Sequence, residues 1–64
     1  MEDIKRKIDR KRQELDDLVV ELCAKAKLND HHPNFGIKER CDKAAIWCQA
    51  ANGKLFYARM ALGH

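Results

Sequence analysis

The sequence predicts an all-α fold, an antiparallel helical hairpin that pairs into a homodimeric helical bundle. Three observations carry that expectation. The 64 residues include no Ser, no Thr, one Pro and three Gly, so the turn punctuation of a many-stranded sheet is missing. Apolar residues recur at intervals of three and four along two long segments, the spacing of a buried helical stripe. A single stretch, "LNDHHPNFG", interrupts the pattern. At 45% hydrophobic and 36% charged residues, the chain is too apolar for a disordered one and fits a helical composition.

Length sets the second expectation. A chain this short is one domain, and it buries only about 60% of its unfolded surface. Small folds supplement such a core with disulfides, a structural metal or a second chain.

The first helix is expected over residues 2–27. Ile4, Ile8, Leu15, Leu18, Leu22 and Ala26 share a narrow arc with Val19 beside them, which makes one apolar seam. Lys11 falls in the same arc, where its stem can cover apolar surface while its ammonium reaches water. Glu2 with Arg6, Asp3 with Lys7 and Glu21 with Lys25 are carboxylate-first i,i+4 pairs that support an exposed helix face.

A turn is expected over residues 28–34. Asn29 tolerates the left-handed cap conformation and Pro33 forbids helix through its neighbourhood. Asn34 can cap the next helix, and Glu39 in an early turn suits its dipole. So short a connection makes the two helices antiparallel neighbours.

The second helix is expected over residues 35–62 and differs from the first in having two seams. Ile37, Cys41, Ala44, Cys48, Ala51, Leu55, Ala58 and Leu62 step alternately by four and three, a heptad pattern. Ile46, Ala50, Gly53, Tyr57 and Met60 do the same on roughly the opposite side. Asn52-Gly53 is a place for a kink or break, since Gly inside a helix costs about 1 kcal/mol relative to Ala. Both seams keep their register across it, which favours a continuous helix.

One partner helix covers one seam. The predicted interface is therefore the second set, Ile46, Ala50, Gly53, Tyr57 and Met60, with Trp47 and Phe56 at its edges. Contiguous exposed apolar patches mark contacts, and closed two-fold symmetry is the commonest way to cover a self-complementary one. The other occupant is a helix of a different protein lying on the same stripe.

Cys23, His31, His32 and Cys41 form an alternative zinc set, because a hairpin gathers the helix ends and the turn and because thiolate and imidazole suit the metal. No C-x-x-C or H-x-x-x-H spacing supports it, and Cys41 and Cys48 sit on the seam where small thiols pack. Cys41 and Cys48 are about 10 Å apart along one helix, too far for a disulfide. No cofactor is expected. Without hydroxyl nucleophiles and with little concave surface, a two-helix chain is expected to be no enzyme.

The net charge of +3 falls short of a dedicated nucleic-acid binder. The best such feature is Lys5, Arg6, Lys7, Arg10, Lys11 and Arg12, which spread around the helix with Asp9 among them. A phosphate-binding strip needs charges on a common side, so nucleic acid is the alternative partner and protein the expected one.

The stretch Gln13 to Leu22, "QELDDLVVEL", is similar to the signature of small sporulation phosphatases acting on response regulators, and that likeness singles out Asp16. Arg12 replaces the signature's Ser and the motif lies on the other helix, so it is read as heptad coincidence. Over its full length, with a basic amphipathic first helix, the "HHPNFG" turn and the "NGKLFYARMALGH" end, the chain resembles the small accessory open-reading-frame proteins encoded between the exonuclease and excisionase genes of lambdoid bacteriophages. That resemblance implies an early helical regulatory protein in the bacterial host cytoplasm. It would influence lysogenic versus lytic development, or host replication and cell cycle, through protein partners. Three cysteines with no secretory apolar run at the start also fit reduced thiols in a cytoplasm.

Overall fold

Two helices, α1 (Glu2–Leu28) and α2 (Phe35–Ala61), make up the computed structural model. The structure describes residues 1–28 and 35–63. Of the expected turn at 28–34, Leu28 belongs to α1, and residues 29–34, with the Asn34 cap, lie outside the described residues. Among the described residues there is no strand and no helix long and apolar enough to cross a membrane.

Local sequence accounts for the helix ends. Glu2 and Asp3 lie in the first turn of α1, where carboxylates favour the positive end of the dipole. The Lys5 amide donates to the Met1 carbonyl at 3.1 Å. At the other end Gly63 takes φ 90°, the left-handed conformation that stops a helix and that side chains resist. Its amide donates to the Met60 carbonyl at 3.0 Å, and Arg59 Nη1 donates to its carbonyl at 2.7 Å. The first bond satisfies a carbonyl that the end of α2 would leave open, and the second ties the residue after the helix back to its last turn. Between its ends α2 runs through Asn52-Gly53 without a break.

The hairpin is antiparallel, with Asp9 near the start of α1 paired to Arg59 near the end of α2 at 3.4 Å. Its Cα trace spans 49 × 14 × 11 Å, a rod two helices wide. In α1 the covered positions are Lys5, Ile8, Arg12, Leu15, Val19, Leu22 and Ala26; in α2 they are Lys38, Cys41, Ala45, Cys48, Asn52, Leu55 and Arg59, with Leu62 just beyond it and Ile37, Ala44 and Gly53 half-buried on the flanks. The α1 set and the main α2 row step by three and four, so the helices meet along a heptad seam.

The seam is not centred where apolarity alone puts it. Ile4 and Leu18 are 50% and 45% exposed, and Lys11, Ala51 and Ala58 are also exposed. Lys5, Arg12, Asn52 and Arg59 take positions on the contact side instead. Each helix is turned by roughly 50° from the expected arc, half the angle between successive residues. The reason is polar. Arg12 Nε donates to Asn52 Oδ1 at 2.8 Å, and Asn52 Nδ2 donates to the Arg12 carbonyl at 3.2 Å and to Asp16 Oδ1 at 2.7 Å. Bonds involving a charged group contribute about 1.5–3 kcal/mol each, more than an Ala methyl gains by burial.

What lies inside is correspondingly small. Among the described residues the buried ones are Lys5, Ala26, Cys41 and Ala45, and no described large side chain is fully buried. The buried Lys5 lies 3.3 Å from the Glu2 carboxylate, so its stem is covered while its charge is paired.

Candidate protein-interaction surface

The helical period carries most of the second stripe of α2 away from α1, because the row of Ile46, Gly53 and Met60 lies about 100° from the row of Ala45, Asn52 and Arg59 and about 160° from that of Cys41, Cys48 and Leu55. Ile46 is 61% exposed, Trp47 74%, Tyr57 72% and Met60 50%. Ala50 is exposed and Gly53 half-buried. Phe56, 42% exposed, borders both faces. Its ring meets Tyr57 edge-on at 5.7 Å and 68°, and the Arg12 guanidinium sits 5.1 Å from its centroid. The cation–π contact holds Phe56 to the hairpin seam, leaving Tyr57 to the outer face.

The result is a helix with apolar side chains on both sides. Toward α1 it presents Cys41, Ala45, Cys48, Asn52, Leu55 and Arg59, while Ile46, Trp47, Tyr57 and Met60 face out. The 7.4 kDa chain exposes 5266 Å², against about 4,200 Å² for a compact monomer of that mass.

At the open end of the hairpin Asp9, Arg12, Phe56, Arg59 and Met60 line a cleft of about 310 Å³. Its polar groups are already engaged. Arg12 bonds Asn52, and Arg59 pairs with Asp9 and the Gly63 carbonyl.

The six basic residues expected as a nucleic-acid strip are divided by the fold. Lys5 is buried against Glu2, Arg12 is half-buried in the seam, and Lys11 lies 3.3 Å from Glu14. Arg6, Lys7 and Arg10 remain exposed and line an open depression of about 270 Å³ together with Asp3. Asp16, the acid of the phosphatase-like stretch, accepts a hydrogen bond from Asn52.

For the zinc set, Cys23 is exposed and Cys41 buried, and His31 and His32 lie outside the described residues. Among the described residues no three His, Cys, Asp or Glu side chains are placed to share a metal ion. Cys48 is half-buried in the seam as a free thiol.

The polar lock of Arg12, Asp16 and Asn52 was not read from the sequence. A usable signal was there, since Asn52 continues the heptad row of Ala45 and Arg59, and one polar residue at such a position specifies register. None of the family models, curated proteins or solved structures compared with the chain matches it.

Proposed function

We propose that this chain is a non-enzymatic interaction protein whose contact face is the outer side of α2, centred on Ile46, Ala50, Gly53, Tyr57 and Met60. One observation carries the proposal: Ile46, Trp47, Tyr57 and Met60 of α2 are outside while its inside holds Cys, Ala, Asn and Arg with Leu55 and Ile37. A patch of this kind is covered by another polypeptide in the working state, and the charged outside of α1 is left to meet water or a further target. The overall resemblance to lambdoid phage accessory proteins supports a regulatory role in lysogenic versus lytic development, or in host replication, through that contact.

Oxidative footprinting in cells tests the covered face. Trp47, Tyr57 and Met60 are expected to be labelled several-fold less in cells than in a dilute sample of the purified chain. Equal labelling in both would contradict a covered face.

The alternative, phosphate binding by Arg6, Lys7 and Arg10, predicts affinity for DNA or RNA that falls steeply with salt. Titration across salt is expected to show no such dependence. For the zinc alternative, metal analysis of protein purified without chelator is expected to return no zinc.

A further inference from the structure

Resting on the reading of α2's outer side as a contact face, we infer that its occupant is a second copy of this chain, with the two α2 helices antiparallel about a two-fold axis at Gly53. Two observations point there.

The first is area. The exposed surface exceeds that of a compact monomer of the same mass by roughly 1,000 Å². A standard stable interface removes about 800 Å² from each partner, so one copy per chain accounts for the excess.

The second is that the stripe complements itself in one direction only. From Ile46 it steps by four, three, four and three to Met60. Reversing one helix about Gly53 sets Ile46 level with Met60 and Gly53 level with Gly53, and brings Ala50 and Tyr57 together across the stripe with a stagger of one residue, about 1.5 Å along the axis. Every position of the stripe then meets another position of the stripe, and the large ring of Tyr57 meets the smallest side chain available. Parallel alignment sets Tyr57 on Tyr57 and Ala50 on Ala50, crowding one layer and emptying the next. A slip by one heptad brings Lys43 onto the stripe. At the axis a Cβ built on Gly53 meets nothing within 4 Å. The space beside it is therefore open in the single chain, as a close approach of two backbones requires.

The test is molar mass against concentration for the full chain and three variants, with circular dichroism confirming helix content in each. The unaltered chain is expected to move from one to two copies as concentration rises. Ala50→Tyr and Tyr57→Ala, which crowd and empty the same layer, are each expected to weaken association by more than about tenfold. The double variant A50Y/Y57A exchanges the two sides of that layer and is expected to regain association to within about threefold, the mark of residues packed against each other across the interface.

Ala51→Glu probes the other apolar flank, formed by Ile4, Leu18, Ala44 and Ala51, and is expected to leave the mass unchanged. Loss of the dimer in Ala51→Glu, or no recovery in the swap, would overturn the Gly53 axis. A chain that stays single at all concentrations, yet is protected at Tyr57 in cells, would overturn the second copy and leave the covered face standing with a different protein on it.

Discussion

The two faces of α2 differ in a direction opposite to that of an ordinary surface helix. Its inner face carries Asn52 and Arg59 among small residues and is fixed by bonds of 2.7–3.4 Å to Arg12, Asp16 and Asp9. Its outer face carries Ile46, Trp47, Tyr57 and Met60, all at least half exposed. Burial of apolar area alone gives α2 little preference between its two faces. The inner face wins because directional polar bonds specify one register, whereas apolar contacts tolerate many. Apolar area makes the outer face sticky, and the polar lock decides which face folds onto its own chain.

The comparison can be broken most severely at Tyr57. Tyr57→Asp places a charge at the centre of the outer face, and burying a charge without a partner is prohibitive. Association is expected to fall by at least about a hundredfold, so thermal unfolding should lose its concentration dependence while the helical signal at low temperature persists. An unfolding midpoint that still rises with protein concentration would show that the outer face is not where chains meet.

The inner face is tested at Asn52. Asn52→Ala removes the acceptor of the half-buried Arg12 Nε and the donor to Asp16 Oδ1, and a cost of about 1–3 kcal/mol is expected in the urea unfolding free energy. The double variant R12M/N52L replaces both polar groups with apolar ones and is expected to recover much of that loss. Stability untouched by Asn52→Ala would remove the lock from the explanation of the rotated seam.

Gly53 sharpens the contrast because it touches only one face. In a Tyr57→Asp background Gly53→Ala is expected to stabilise the helix by about 1 kcal/mol, since the new Cβ has room. In the otherwise unaltered chain the same substitution is expected to weaken association instead, because two methyl groups would meet at the axis. Stabilisation in both backgrounds would place the axis elsewhere.

The smallest effect belongs to Asp9, which is 55% exposed where it pairs with Arg59. Asp9→Asn is expected to change stability by no more than about 0.5 kcal/mol at ordinary salt. A larger loss would mean that the open end of the hairpin is held by charge more than by Asn52.

The two-helix architecture was legible from spacing because runs with a three-four repeat and one interrupted stretch leave few alternatives for a chain without Ser or Thr. Which rows would face inward was less legible. Ala44, Ala51 and Ala58 form an apolar row beside the shared row of Cys41, Cys48 and Leu55, and apolarity alone prefers it. The other flank, with Lys38, Asn52 and Arg59, wins through partners 36 and 40 positions away in sequence, which no local pattern reveals. The basic stretch was misleading for the same reason. Lys5 and Arg12 read as surface charge until the seam turned them inward. On the outer face the stripe was legible, because one partner helix covers only one side of α2; α1 reaches it only at Met60, at the open end of the hairpin.

Sedimentation equilibrium of the purified chain over a wide concentration range tests the central claim most directly. A reversible shift from one chain mass to twice that mass, abolished by Tyr57→Asp and unaffected by Ala51→Glu, is the predicted result. A single chain mass throughout, with no shift on raising the concentration, would contradict it.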